Sequence, residues 1–210
     1  MFKGNKIYKI NKDGKKKRVF FVKGLFIKFK GKNSVIELHE PYLRYRNSRI
    51  VCGDNCRIII DSSTNVARDL YIAAHASNGY CKIGKNFLCT NDCLLQIASE
   101  PDKKIIIGDN CMFGSNIIIR TTDSHSILDK DTGEVLNEGK DITIGNHCWL
   151  ATGVKVLKGV RISDNIIVGL DSIVNKNLEN EFSVYAGTPA KLVKTNVVWD
   201  ANPPGRINNQ

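Results

Sequence analysis

The sequence predicts an all-β fold, a parallel β-helix built from short strands and tight corners. Three observations support this fold: an aliphatic residue at every sixth position, small residues after it, and Asn at the next corner. The longest six-residue run is Ile144, Leu150, Val156, Ile162, Val168 and Val174. Other runs with this spacing are Ile107–Phe113–Ile119, Ile83–Cys89–Leu95 and a less regular Cys52–Ile58–Thr64–Leu70.

A period of six matches neither the 3.6-residue period of a helix nor the two-residue alternation of a single strand. It fits short strands that each turn one large side chain inward. Gly and Asn after the aliphatic residue, as in Gly53-Asp-Asn and Gly84-Lys-Asn, supply the corner conformations that other residues resist. Three such hexads make one triangular coil, and stacked coils bury a continuous apolar column.

The repeat also accounts for most of the seven cysteines. Cys52 and Cys89 occupy the inward position, and Cys81 lies off the pattern. Four others lie four residues after it, where a small side chain is needed: Cys56, Cys93, Cys111 and Cys148. Because no CxxC pair is present, we expect small core residues rather than metal ligands or disulfides, and no metal.

The basic charge is concentrated at the N-terminus. Residues 1–32 contain twelve Lys or Arg and one acid, Asp13, whereas the remaining chain has 19 basic and 20 acidic residues. Such clustering attracts anionic polymers or membrane surfaces, and its simplest interpretation is a solvated hairpin around Asp13-Gly14. No nucleic-acid recognition motif accompanies the charge, so no nucleic-acid partner is expected.

The spacing divides the chain into three parts. We expect a basic strand or hairpin segment at 1–32, the β-helix at 33–190 and a tail at 191–210. The repeat stops between Ile119 and Ile144, which predicts a loop extruded at 120–143, the kind of place where function is commonly found. The sequence shows no membrane-spanning apolar run and no secretory signal, so a cytoplasmic location is expected.

Four segments carry a family resemblance: residues 120–125 (RTTDSH), 146–150 (NHCWL), 156–160 (VLKGV) and 186–191 (AGTPAK). Together they resemble the hexapeptide-repeat O-acetyltransferases, and most of all the bacterial capsular polysaccharide and polysialic acid O-acetyltransferases. The resemblance implies a left-handed β-helix, an acyltransferase that uses acetyl-CoA as cosubstrate, and a carbohydrate acceptor. It covers roughly residues 80–200 and does not extend to residues 1–32.

The resemblance identifies His125 as the catalytic residue. A sugar hydroxyl is protonated at neutral pH, and an imidazole can remove its proton during direct attack on a thioester. Asp123 either orients this imidazole or makes a local turn hydrogen bond. Trp149 should face outward, where the resemblance implies acceptor or thioester contact and burial at a subunit interface is the alternative.

The resemblance further implies a coenzyme groove and a homotrimer with active sites between subunits. The coenzyme-binding candidates are Ala151, Thr152, Lys158, Gly169, Thr188 and Lys191, with the backbone N–H of Thr152 a candidate oxyanion donor. Weaker acceptor-binding candidates are Asn91, Asp92 and Ser124. The outward apolar residues that favour a trimer are Leu88, Leu94, Met112, Ile118, Ile167 and Ile173.

Two other functions stay open at this point. One is an acetyltransferase for a small sugar, an amino sugar or an antibiotic. The other is a non-catalytic solenoid that binds an anionic polymer through its basic N-terminus. In the enzymatic interpretation, that segment attracts an acidic glycan or associates with a membrane surface.

Overall fold

The computed structural model describes residues 3–202 and 206, and within them it contains 21 β-strands and no α-helix. The strands are β1 Lys6–Ile10, β2 Lys16–Val19, β3 Leu25–Phe29, β4 Val35–His39, β5 Arg44–Arg46, β6 Ser48–Cys52, β7 Arg57–Ile60, β8 Val66–Arg68, β9 Leu70–Ala74, β10 Tyr80–Ile83, β11 Leu88–Ile97, β12 Lys104–Ile107, β13 Met112–Arg120, β14 Ile142–Ile144, β15 Trp149–Leu150, β16 Lys155–Val156, β17 Arg161–Ile162, β18 Ile166–Val168, β19 Ile173–Val174, β20 Ser183–Ala186 and β21 Lys191–Lys194.

The strands stack into three sides of a prism. The first side is an eight-stranded sheet in the order β17-β14-β12-β10-β7-β4-β1-β2. The second and third sides share a 13-stranded sheet, because β11 and β13 continue around the corner between them. One half of β11 pairs with β8 and the other with β9, and β13 divides likewise between β15 and β16. Nearly all these pairings are parallel, so the architecture is a parallel β-helix.

The strand register places the predicted inward residues directly above one another. The three columns are Ile107–Ile144–Ile162, Phe113–Leu150–Val168 and Ile119–Val156–Val174. Each of these side chains is at most 1% exposed, which confirms the six-residue prediction from residue 107 onward. Burial of this column is the main favourable contribution to the stability of the fold.

The earlier coils are longer, and here one position differs from the prediction. Ile60 pairs with Ile83, a step of more than the 18 residues that separate Ile144 from Ile162. The extra residues shift the spacing, so that Thr64 is exposed and the neighbouring Ser63 is buried instead. Cys81, which lay off the pattern, is an inward residue of β10 paired with Ile105.

All seven cysteines are buried and free of disulfides. Five of the thiols contact carbonyl oxygens of an adjacent coil; for example, the Cys111 thiol donates to the Gly145 carbonyl at 3.1 Å and the Cys148 thiol to the Ser163 carbonyl at 3.1 Å. Burial raises the pKa of the Cys81 thiol to about 12. These thiols are small residues of the core, and residues 3–202 and 206 hold no cluster of side chains suited to a metal.

The first coil lies within the basic segment. β1 pairs parallel with β4, and β3 pairs parallel with β6, so the β-helix already includes part of residues 1–32. The division at residue 32 stays a prediction, and only β2, antiparallel to β1 across the expected turn, stands apart as an appendage. The buried Glu37 carboxylate of β4 forms ion pairs with Lys16 of β2 and with Arg57 of β7, and the first of these attaches β2 to the β-helix. Burial raises the pKa of this carboxyl, but hydrogen bonds from Lys16 and Arg57 outweigh burial and lower it overall.

Candidate active site

The extruded loop lies between β13 and β14, on the corner that joins the third side to the first. Both of its ends are fixed to the β-helix. The Glu100 carboxylate accepts a hydrogen bond from the Thr122 hydroxyl at 2.9 Å and from the Gly139 N–H at 2.7 Å. The Lys140 N–H donates to the Thr121 carbonyl at 2.9 Å. One carboxylate from the preceding coil therefore holds the two ends of the loop together.

Inside the loop, the Asn137 side chain connects the C-terminal part of the loop to residues 123–125. Its Nδ2 donates to the His125 carbonyl at 2.9 Å and to Asp123 at 3.0 Å. Lys158 makes a short ion pair with Asp123 and donates to the Asn137 carbonyl at 2.6 Å. Hydrogen bonds from Lys158 and then from Asn137 lower the pKa of the Asp123 carboxyl. Asp123 thus braces the loop; of the two roles that the sequence left open, residues 3–202 show no hydrogen bond from Asp123 to the imidazole and instead show contacts within the loop.

His125 is exposed at the end of this braced segment. It lines a cleft of about 290 Å³ together with Glu100, Thr122 and Ser126. Ser124, directly before it, has a φ of 71°, a left-handed conformation that is strained for a serine. Its hydroxyl accepts a hydrogen bond from Arg120 at 3.1 Å. The strained turn therefore presents the imidazole to solvent from a fixed backbone.

A column of small residues runs along the corner between the second and third sides. The strand register stacks Gly114, Ala151, Gly169 and Ala186, each one residue past a buried inward side chain. A Cβ at Gly169 would lie 3.0 Å from that of Ala186. A Cβ at Gly114 would lie 2.7 Å from the Thr152 nitrogen. The column leaves a narrow strip where a ligand can approach the backbone closely.

The other coenzyme-binding candidates extend this column. Gly187, which follows Ala186, accepts a hydrogen bond from the Ile173 N–H, and Thr188 and Lys191 follow it as exposed residues. The Thr152 carbonyl accepts from the Asp171 N–H, and within residues 3–202 its own N–H donates to no protein acceptor. The strip therefore ends in an ammonium group suited to phosphate and carries an available N–H at its middle.

An aromatic cluster occupies the second side. The Trp199 indole stacks on the His147 imidazole with ring centroids 4.5 Å apart, and its Nε1 donates to the His147 carbonyl at 2.8 Å. Trp149 lies 6.0 Å from Trp199 and is half-buried. His147 has a φ of 52° and occupies the corner position that Asn110 and Asn165 fill in neighbouring coils. The tail thus folds back over the outward surface beside Trp149.

Asn91 and Asp92 lie at the corner that carries the small-residue column. Asn91 pairs with Ser115, one residue past the level of Gly114. Asp92 has a φ of 50°, as Asn116 and Asp171 do in the coils above, so its side chain serves a corner turn. Both side chains are exposed.

The predicted site residues therefore form two groups on one chain. Asp123, Ser124, His125 and Lys158 share the corner of the loop. Asn91, Asp92, Ala151, Thr152, Gly169, Thr188 and Lys191 belong to the corner of the column, with Trp149 on the adjoining side. The cleft of His125 is lined by none of the second group. The two groups therefore lie at different corners of the prism.

No protein-family model matches the chain. Over 170 residues it is 36% identical to a polysialic acid O-acetyltransferase of Neisseria meningitidis, an alignment that covers 73% of this chain and 75% of that protein. The chain belongs to the hexapeptide-repeat O-acetyltransferases. It is therefore an acyltransferase that uses acetyl-CoA as its cosubstrate.

Two further likenesses agree with this family. The superposition on the crystal structure of the polySia-specific acetyltransferase NeuO covers 97% of this chain and 92% of that protein, with a TM-score of 0.61 and 20% sequence identity. This match confirms the left-handed parallel β-helix. The galactoside O-acetyltransferase of Escherichia coli K12 is 32% identical over 114 residues, 53% of this chain and 52% of that protein.

Several contacts of the acetyltransferase were not predicted from its sequence. Glu100 and Asn137 brace the loop, yet neither belongs to a recognisable motif, because their partners are up to 39 residues away. Lys158 was expected at a coenzyme phosphate, and in this structure its ammonium group binds within the loop. The contact of Trp199 with His147 was not predicted either, because it joins residues that are 52 positions apart. No helix among the described residues of the acetyltransferase has the length and apolarity to cross a bilayer.

Removing the charge of Glu100 should loosen the loop. In Glu100→Gln, the hydrogen bonds to a charged acceptor, worth on the order of 1.5–3 kcal/mol, become weaker bonds to a neutral one. Amide exchange across residues 121–141 should therefore be about 10–100-fold faster. Hydrogen-exchange mass spectrometry measures this change. Glu134→Gln, an exposed carboxylate of the same loop, is the matched control and should exchange as the wild type does. Equal exchange in the two variants would contradict the bracing role.

Proposed function

We propose that this acetyltransferase acts on a hydroxyl group of a bacterial surface polysaccharide or its sugar precursor, and that the polymer is a capsule that contains sialic acid. The observation that carries the proposal is the 36% identity, over 73% of the chain, to a protein named for O-acetylation of polysialic acid. His125 is exposed in its cleft, so an acceptor hydroxyl can reach the imidazole from solvent.

In the proposed mechanism, His125 is the general base. The acceptor hydroxyl oxygen attacks the thioester carbonyl carbon while the imidazole takes the hydroxyl proton. A new C–O bond forms, and the carbonyl oxygen carries the negative charge. When the C–S bond breaks, the imidazolium returns the proton to the departing thiolate, so that the products are the acetyl ester and free coenzyme A. No acyl-enzyme is formed.

We assign stabilisation of the oxyanion to the backbone N–H of Thr152. Its support is the unused hydrogen-bonding capacity of this N–H beside Gly114, where a Cβ would obstruct access. The pantetheine arm would lie along Ala151 and Gly169, with its phosphates near Thr188 and Lys191. Trp149 would contact the acceptor or the thioester, and Asn91, Asp92 and Ser124 would contact the acceptor.

We further propose a homotrimer whose active sites lie between subunits. Its support is the separation of the His125 group from the coenzyme group on different corners of one chain. A three-fold arrangement of prisms brings unlike corners of neighbours together and covers outward apolar residues such as Ile118 and Ile167. Because acetyl-CoA is made in the cytoplasm, we also assign the enzyme to that compartment.

Subunit mixing tests the shared site. His125→Ala removes the base, and Gly169→Val fills the coenzyme strip, so each homotrimer should be inactive. Co-expressed chains should regain a measurable fraction of wild-type activity, because some interfaces then pair an intact His125 with an intact Gly169. Light scattering should give three times the 23.4 kDa chain mass. A monomer, or a mixture as inactive as its components, would refute the arrangement.

An acceptor panel tests the substrate class. Thiol release from acetyl-CoA is followed with polysialic acid, a sialic acid monomer, a galactoside, an amino sugar and a macrolide. Turnover with the sialic acids supports the proposal. Preferred turnover of the galactoside would favour a small-sugar enzyme, for which the likeness to a galactoside O-acetyltransferase is the supporting observation. Binding of polysialic acid without thiol release from any acceptor would refute catalysis.

A further inference from the structure

The N-terminal end of the β-helix exposes an apolar cleft that the acetyl-transfer site does not use. The cleft measures about 470 Å³, and its lining includes Ile7, Phe20, Phe21, Leu25, Phe26 and Phe29. Three of these phenyl rings are largely exposed: Phe20 is 66%, Phe21 76% and Phe26 59% exposed. Clusters of exposed aromatic side chains on a folded protein normally mark a contact surface.

The position of the cleft explains its apolar lining. Among the described residues, β2 and β3 are the outermost strands of their sheets, so within that part of the chain the central column of inward side chains ends here. Leu25 and Ile7 are buried at this end of the column, whereas Phe21 and Phe26 are exposed. Phe26 lies on the outward face of β3, in register with Arg49. The surface consists of the end of the core together with three added phenyl rings.

Basic side chains border the same surface. Arg18 lies over the Phe20 ring at 5.3 Å, and Arg49 lies 5.9 Å from the centre of the Phe26 ring. Lys23 and Lys28 are exposed beside Phe21 and Phe26 along the chain. Residues 1–32 contain twelve basic residues and one acid, so the end of the helix is strongly positive.

We propose that this end surface, comprising Phe20, Phe21 and Phe26 with the basic residues around them, docks on an anionic phospholipid bilayer. The phenyl rings enter the boundary between headgroups and acyl chains, and the basic residues bind the anionic headgroups. Neither element suffices alone, because exposed charges bind weakly at physiological salt and single apolar side chains partition weakly. The inference is independent of which acceptor the enzyme uses.

Charge and polarity favour lipid over the other occupants. A second copy placed end to end would bring two strongly positive segments together, which costs free energy. An acidic glycan would satisfy the charges but has no acyl chain to cover Phe21 and Phe26. A bilayer surface with anionic lipid supplies both an apolar layer and negative charge.

Vesicle sedimentation tests the proposal with the full-length protein. Wild type should pellet with phosphatidylcholine vesicles that contain phosphatidylglycerol and stay in solution with phosphatidylcholine alone. Phe21→Ser/Phe26→Ser should lower partitioning by about tenfold or more, since two apolar side chains no longer leave water. Raising salt from about 0.1 M to about 1 M shortens the screening length to about 3 Å and should release the protein.

The matched control is Val193→Ser/Val198→Ser, which removes two comparably exposed apolar side chains (65% and 74%) from the C-terminal region, away from the N-terminal cleft. It should bind vesicles as the wild type does. The added fluorescence of Phe21→Trp should be quenched by brominated lipid, which reports insertion directly.

Several results would overturn the proposal. One is unchanged vesicle binding by Phe21→Ser/Phe26→Ser, which would leave only electrostatic adsorption. Another is absence of vesicle binding together with salt-sensitive binding of polysialic acid, which would assign the surface to the glycan. Concentration-dependent dimers of trimers that the Phe variant abolishes, without vesicle binding, would assign it to a second copy.

Discussion

Replacing His125 with alanine is expected to lower kcat for acetyl transfer by about 10²–10⁴-fold. The imidazole would take a proton only during attack of the hydroxyl, so its loss affects the transition state more than the bound reactants. Affinity for acetyl-CoA should stay the same, because the residues proposed to bind the coenzyme do not include His125. Steady-state thiol release gives kcat, and calorimetric titration gives the coenzyme affinity.

His75→Ala is the matched control for this experiment. His75 is also an exposed histidine, but its ring bonds to the Tyr71 hydroxyl at 2.9 Å on the third side, away from the loop. Burial, and then the charge of Lys30, lower the pKa of this imidazole. The control should keep wild-type turnover. Turnover retained by His125→Ala would remove His125 from the mechanism.

Phe113→Ala should have the largest effect on folding, a loss of about 3–5 kcal/mol in the free energy of unfolding. Phe113 is fully buried in the central column, where its ring meets that of Phe87 edge to face with centroids 5.0 Å apart. Truncation removes that aromatic contact and leaves a cavity between stacked coils that the short strands cannot collapse to fill. Denaturant unfolding followed by circular dichroism measures the change.

Phe26→Ala tests the same substitution at an exposed ring. Phe26 lies on the outermost strand of its sheet, so its replacement should change the free energy of unfolding by no more than about 0.5 kcal/mol. If the two variants unfolded at the same denaturant concentration, Phe113 would not be part of the column that stabilises the fold.

The regular part of the fold could be predicted because each short strand of a coil places one large apolar residue inward, at every sixth position of the sequence. Ile144 to Val174 follow this rule without exception, and each is buried. The rule weakens where a coil gains residues, which is why Thr64 was placed inward and Cys81 was not. Extra residues change spacing without changing composition, so the sequence alone gives no signal of where the coil absorbs them.

The candidate site was predictable in part for a related reason. His125 was identifiable because it lies in a loop that interrupts a repeat and in a segment with a family resemblance. Glu100 and Asn137 were not, since their hydrogen bonds join segments whose approach depends on how the loop closes. Asp123 illustrates the difference: its sequence position allowed either a contact with the imidazole or a local hydrogen bond, and only the folded loop shows that it pairs with Lys158.

Because each coil contacts only the coils on either side, this fold has no single centre that must open all at once. The terminal coils have one neighbour each and should fray first, whereas β11 and β13 are covered on both sides. The ends can therefore loosen during heating or under pulling force while the rungs beneath the His125 loop remain closed. Partial melting of the N-terminal coils would therefore leave the rungs that carry the His125 loop in place.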